Sequence, residues 1–317
     1  MEKLVSIVIP VYNRKEELID CLNSLKKIDY KNIEIIVVDN ASTDETFEAL
    51  KQDFSEVKII RNEKNLMAVP ARNQGLRESK GEYILFLDSD NKVAHDFLSE
   101  MMKLTESDDK IGFVGPKMYF ANEPRKIWYA GADINLLTSK TTYLGINKID
   151  NGQFDQIRET GHIPNCFLVK RKVIEEIGEL DESYVMSYGE ADFAERAKRA
   201  GFKIIFCPTA RIWHNEKASI RGLIFRSPKR AYYFARNRVL FMKKFSPRIS
   251  FYIFFVIFFP FFIMANLTIL IFKRKPNLVL AYLTGARDGF IYGLTGVLKD
   301  NSSKFLHLEP SDYANKK

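Results

Sequence analysis

Through its first 90 residues the chain switches back and forth between two hydrophobic periods. Four stretches, VSIVIPVY from Val5, IEIIVVD from Ile33, VKII from Val57 and YILFLD from Tyr83, are rich in Val, Ile and Leu with few polar interruptions. Such runs are strands covered on both faces, as in parallel sheets packed between helices. Between them Leu18, Leu22 and Leu25 share one helical face, and Phe47 and Leu50 begin another. Alternating strand and helix predicts an α/β fold. Asn13 with Glu16, and Ser42 with Glu45, have capping-box spacing, so each pair is expected to open a helix. From about Ile111 to Trp213 the pattern loosens into short strands, a loop-rich stretch from Gly131 to His162, and two helices expected to end at Gly178 and Gly201.

Ligands of parallel sheets bind at the carboxyl ends of the strands. The polar residues at those ends are Tyr12, Asn13 and Arg14 after the first strand, Asp39 and Asn40 after the second, and Asp88, Ser89 and Asp90 after the fourth. Two carboxylates one residue apart in such a loop can converge on Mg²⁺ or Mn²⁺, or divide between a cation and a ribose hydroxyl. A solvated turn is the other reading of an isolated Asp-x-Asp.

The last hundred residues differ in kind. The run from Phe251 to Phe272 is about the roughly 20 apolar residues a membrane-spanning helix needs. Pro260 sits in its middle, so a single pass and a bent helix within one leaflet both remain open, as does a buried core helix. The next segment, from Leu278 to Leu298, has Arg287 and Asp288 near its centre, which favours the interface over the hydrocarbon. The net charge of +8 is concentrated here: 13 Lys or Arg and no acid lie between Lys217 and Lys275, leaving 35 basic against 40 acidic residues elsewhere. Basic residues beside apolar sequence predict membrane lipids as partner, on the cytoplasmic side. Nucleic acid is not expected, since no nucleic-acid motif is present. Three cysteines without metal-ligand spacing are expected to be reduced core residues. The N-terminus runs directly into a strand pattern, so no secretion signal is expected.

Eight segments in order resemble the family 2 glycosyltransferases of the GT-A fold. They are IPVYNR (9 to 14), VVDNASTD (37 to 44), NLMAVPARNQGL (65 to 76), LFLDSD (85 to 90), NCFLVKRKVIEEIGELDE (165 to 182), YGEADFAERAKRAGF (188 to 202), WHNEKAS (213 to 219) and ARN (235 to 237). The resemblance covers about the first 245 residues. It implies a Rossmann-like, mostly parallel sheet flanked by helices, followed by membrane-associated C-terminal helices. The domains expected are 1–220 for catalysis, split into a nucleotide-sugar half (1–110) and an acceptor half (111–220), and 221–317 for membrane association.

The implied reaction is an inverting, metal-dependent transfer of a sugar from a UDP-, GDP- or dTDP-linked donor to a hydroxyl of a lipid-linked or glycolipid acceptor. The alternatives are sugar transfer to a polyprenyl phosphate, and a non-catalytic nucleotide-sugar-binding membrane protein. The resemblance assigns Asp39 to an N–H of the base, and Pro10, Tyr12 and Asn13 to the base and ribose pocket. Arg14, Asn40, Ser42 and Ser89 join the donor site, Asp88 faces the ribose or metal side, and Asp90 with His214 holds Mn²⁺ or Mg²⁺. Arg72 either contacts phosphate or pairs with an acid. Glu190 takes the position of the catalytic base and Asp192 that of the last acid of an EDxD motif, whose first acid is Gly189 here. An acid favoured at a helix N-terminus is the bland reading of Glu190. Arg236 and Asn237 lie on anionic headgroups or hold an acceptor phosphate.

Overall fold

The computed structural model describes residues 2–215 and 227–308. The end of the WHNEKAS segment (216 to 219) and the expected domain boundary at 220 lie outside the described residues. The strands are β1 (Val5–Val11), β2 (Ile33–Asp39), β3 (Lys58–Arg61), β4 (Tyr83–Leu87), β5 (Asn91–Val93), β6 (Ile111–Phe120), β7 (Glu123–Tyr129), β8 (Ala132–Ile134), β9 (Thr141–Tyr143), β10 (Arg158–Glu159), β11 (Cys166–Lys170) and β12 (Lys203–His214). Ten of them form one sheet in the order β10-β12-β6-β11-β4-β1-β2-β3, with β5 added to β12 and β7 to β6. The pairs β1–β2, β1–β4, β2–β3 and β6–β12 are parallel, while β11 runs antiparallel to both neighbours. Every residue of β1 and β4 is buried, as their apolar runs predict, but β3 is not covered on both faces: it is the last strand of the sheet, with Lys58 and Arg61 exposed. The three cysteines are buried and free.

Register places the site. Val11 pairs with Asp39, so the first two strand ends lie level, and β4 runs beside them into Asp88. The end of β12 pairs with β5, setting His214 opposite Asn91 and thus beside the Asp88–Asp90 turn.

Helices α1 (Lys15–Leu25), α2 (Thr46–Asp53), α3 (Ala68–Arg77), α4 (Phe97–Glu106), α5 (Arg171–Ile177) and α6 (Gly189–Arg199) accompany this sheet. The predicted helix ends at Gly178 and Gly201 are present, with φ of 79° and 91°. Neither predicted capping box forms. Helix α1 opens at Lys15 without a side-chain cap, and Asn13 instead takes a left-handed backbone and accepts the Thr43 N–H at 2.7 Å. Ser42 Oγ accepts from Asn13 N at 3.0 Å, and α2 starts later, with Asp44 accepting from Thr46 N at 3.3 Å. These polar groups tie the loops after β1 and β2 to each other, a competing use that local spacing does not reveal.

Three further helices follow: α7 (Pro228–Phe245), α8 (Arg248–Phe272) and α9 (Pro276–Thr295). Ser227 caps α7 by accepting from Arg230 N. Helix α8 takes a π turn at Phe254–Phe258, just ahead of Pro260, whose missing N–H breaks the regular ladder. It is the one helix among the described residues long and apolar enough to cross a bilayer, and only 22% of its most apolar window is buried. Tyr252, Val256, Phe261, Met264 and Phe272 point outward, which is incompatible with the core-helix reading. Helix α9 lies close against α7: a Cβ on Gly285 would come within 2.1 Å of the Tyr232 carbonyl oxygen. Asp288 turns inward, accepting from Tyr232 Oη at 2.7 Å and Asn301 Nδ2 at 2.8 Å. A second hydrophobic cluster joins α7, α8 and α9 to Tyr184, Tyr188 and Ala191.

Candidate active site

A cavity of about 300 Å³ opens at the carboxyl ends of β1, β2 and β4. Of the residues expected at a site, Pro10, Tyr12, Arg14, Asn40, Asp88, Ser89, Asp90, Glu190 and His214 line it. Asn13, Asp39 and Ser42 form a layer beside it: Asp39 Oδ1 accepts from Ser42 N at 2.9 Å, and Ser42 Oγ from Asn13 N. Asp39 is fully buried, with Oδ2 3.7 Å from Arg61 Nε and without a hydrogen bond among the described residues.

Asp90 is the anionic focus. Its Oδ2 accepts from Arg14 Nη1 and lies 3.4 Å from His214 Nε2. Burial by itself raises this carboxyl, yet Arg14 and then His214 hold it well below the usual carboxylate range. Asp88 is moved the other way. Burial raises it, Arg72 opposes, and the neighbouring Asp90 and Glu190 charges add to the rise.

Arg72 sits under the cavity floor, 1% exposed, and bridges the two halves of the site. Its Nη2 donates to Asp88 Oδ1 at 2.6 Å and its Nη1 to Glu190 Oε1. Of the two roles open to Arg72, the structure displays the acid pairing. Glu190 lies in the first turn of α6. Burial pushes its carboxyl up, but the charge and hydrogen bond of Arg72 outweigh this and bring it below the ordinary Glu value.

Three expected site residues are elsewhere. Asp192 has no exposed surface and binds Arg196 Nε at 2.8 Å and Lys244 Nζ at 2.6 Å. Two residues on from Glu190, it falls about 200° further round the helix, at 3.6 residues per turn. Arg236 and Asn237 do not line the cavity either. They are buried, and their polar atoms are engaged by the loop before α6 and by Asp300. The structure displays an internal role for these two, in place of either the headgroup contact or the acceptor-phosphate contact expected of them. Sequence reasoning missed Trp128, Asn165, Met186 and Arg230, which line the cavity. Asn165 opened a recognised segment, and Arg230 belonged to the basic stretch; Trp128 carried no signal beyond its size.

Among the described residues no group of three or more His, Cys, Asp or Glu is placed to hold a metal ion. Asp90 and His214 nevertheless offer an oxygen and a nitrogen side by side. That pair fits an Mg²⁺ or Mn²⁺ ion that draws the rest of its shell from substrate phosphates and water.

The family model for glycosyl transferase family 2 matches residues 6–178, and the chain belongs to that family. Its fold is GT-A. An uncharacterised protein, y4gI, of Sinorhizobium fredii is 29% identical over 76% of this chain and 27% of its own length. The amylovoran biosynthesis glycosyltransferase AmsB of Erwinia amylovora is 26% identical over 63% of this chain and 65% of its own. The chain thus spans less than two thirds of the length of either relative. The mannosyltransferase PcManGT of Pyrobaculum calidifontis, solved with GDP-Man and Mn²⁺, superposes with a TM-score of 0.55 at 16% identity. That match covers 92% of this chain and 87% of PcManGT.

Proposed function

We propose that the protein is a metal-dependent, inverting glycosyltransferase that moves a sugar from a nucleoside diphosphate sugar to a hydroxyl of a lipid-linked or glycolipid acceptor at the cytoplasmic membrane face. The observation that carries this reading is the meeting, on one cavity wall, of the Asp88–Asp90 turn, His214 and an ionised Glu190. The Mn²⁺ in the PcManGT complex supports a divalent cation, and the outward apolar face of α8 supports the membrane.

In this reading Asp39 Oδ2 accepts an N–H of the base, and Tyr12 and Asp88 bound the ribose. Asp90 and His214 would hold Mn²⁺ or Mg²⁺, which when bound supplies Lewis-acid stabilisation of the departing diphosphate. Arg14 and Arg230 add fixed positive charge on the same wall, where the charge of the leaving group grows. Glu190, ionised because Arg72 stabilises the carboxylate, accepts the proton of the acceptor hydroxyl as that oxygen attacks the anomeric carbon. Arg72 also fixes the spacing between Asp88 and Glu190, and therefore between donor and base. The helices α8 and α9 present the site to an acceptor anchored in lipid.

The deciding experiment is Glu190→Gln. Donor affinity should persist while kcat falls by roughly 10²- to 10⁴-fold. A variant that turns over like wild type removes Glu190 from the base role.

A further inference from the structure

The loop that enters α6 is held in an unusual backbone. Val185, Ser187 and Tyr188 have φ of 54°, 62° and 68°, values that residues with side chains adopt only at a cost in free energy. No glycine occupies these positions. The loop forms part of the cavity wall through Met186 and leads directly into the turn bearing Glu190.

Helix α7 supplies what holds it. Asn237 Nδ2 donates to three carbonyl oxygens of the loop: Tyr184 at 2.7 Å, Met186 at 2.8 Å and Ser187 at 3.1 Å. Its Oδ1 accepts from Arg236 Nε at 2.9 Å, which fixes the amide with nitrogen toward the loop. Arg236 Nη2 donates to the Ser183 carbonyl, and its Nη1 reaches Asp300 Oδ2 at 3.0 Å, beyond the end of α9. Asn237 has no exposed surface and Arg236 has 1%. Four carbonyls in a five-residue loop are thus met by two adjacent side chains, and those side chains are backed by the C-terminal helices.

We propose that Asn237, oriented by Arg236, is a positioning residue that holds the strained loop in place and thereby sets Glu190 relative to Arg72 and the donor site. The C-terminal helices then complete the active site as well as facing lipid. The inference rests on Glu190 being the base.

The test uses the full-length protein with donor and acceptor. Asn237→Ser should lower kcat by about 10²-fold, the cost typical of displacing a catalytic group by about 1 Å. Donor affinity, read from the thermal shift produced by the nucleotide sugar, should be unchanged, because Asp39 and Asp90 are held by Ser42 and by Arg14 and His214 rather than by this loop. In a Glu190→Gln background the same substitution should cost little more, since there is no base left to place. Adding Ser187→Gly to Asn237→Ser should restore much of the lost kcat, because glycine adopts that φ without strain. If Asn237→Ser does not fold, Arg236→Lys, which shortens the reach to Ser183, carries the same expectations. Wild-type kcat in the single variant overturns the proposal, as does a full loss in both backgrounds or a loss of donor affinity in step with kcat. A fully active Glu190→Gln enzyme instead refutes the base assignment, and the Ser187→Gly rescue then decides the clamp by itself.

Discussion

Replacing Arg72 with Met removes the only cation in contact with both Asp88 and Glu190 among the described residues, while keeping an unbranched apolar stem in its place. The guanidinium is 1% exposed, and the carboxylates are 32% and 21% exposed, so the contacts are screened from one side only. At an effective dielectric of about 20, unit charges about 4 Å apart attract by about 4 kcal/mol. Taking one partner from a buried pair typically costs about 3–5 kcal/mol. Partial exposure of the acids favours the lower end. Part of that lost attraction falls on Glu190, so its carboxyl titrates at higher pH in the variant. The sign follows from the base being active only when ionised. In the wild type the acid limb of kcat lies below the ordinary Glu range, because Arg72 lowers the group against its burial. In Arg72→Met the largest influence opposing burial is gone, so the limb moves up and activity returns only at higher pH. The assay is kcat against pH at saturating donor and acceptor, with urea unfolding of the same variant to measure the stability loss. A loss equal at every pH, with the acid limb unmoved, refutes the electrostatic account and leaves Arg72 a scaffold or a phosphate ligand.

Donor binding should require a divalent cation: Asp90→Ala should fold yet lose nearly all transfer, EDTA should act likewise on the wild type, and full activity in EDTA would remove the metal role. Buried His162 is lowered to about 4 from the ordinary 6.5, so the unfolded chain binds its proton more readily. Its contribution should be complete above about pH 6.5 and fall by about 3 kcal/mol as pH drops towards 4; unfolding midpoints of His162→Gln should lack that slope. The full-length protein should float with anionic liposomes at low salt. Replacing Lys273, Arg274 and Lys275 by Gln should weaken this by about 1 kcal/mol per charge without abolishing it, since the apolar face of α8 remains. A protein that is monodisperse without detergent and stays unbound contradicts the membrane role.

How much of this was legible depends on the distance over which each residue finds its partners. The strand ends could be read because an unbroken apolar run announces both a buried strand and the point where it stops, and parallel register then brings Val11, Asp39 and Asp88 together. The sequence does not decide between two roles for Arg72, because its partners are 16 and 118 residues away, beyond any periodicity. Asp192 is a different case. Its distance from Glu190 is short, but spacing in a motif does not say which face of a helix each acid occupies. The rotation per residue does, and it turns Asp192 towards Arg196 and Lys244.

Arg236 and Asn237 show the same limit from the other side. Two polar residues amid Tyr and Phe in a basic helix read as a surface that meets headgroups or holds an acceptor phosphate. The pattern records which residues could face water, but not that a neighbouring loop has carbonyls turned out of any regular ladder. Nothing in MSYGE marks Ser187 or Tyr188 as left-handed, because the usual signature of that conformation is glycine or asparagine. Buried carbonyls of this kind must still be satisfied, and an asparagine amide reaching in from another element is an effective donor. The demand arises in one part of the chain and is met about 50 residues later, at Asn237. A helix placed by sequence in the membrane-associating region is therefore, by its hydrogen bonds, also part of the wall behind Glu190.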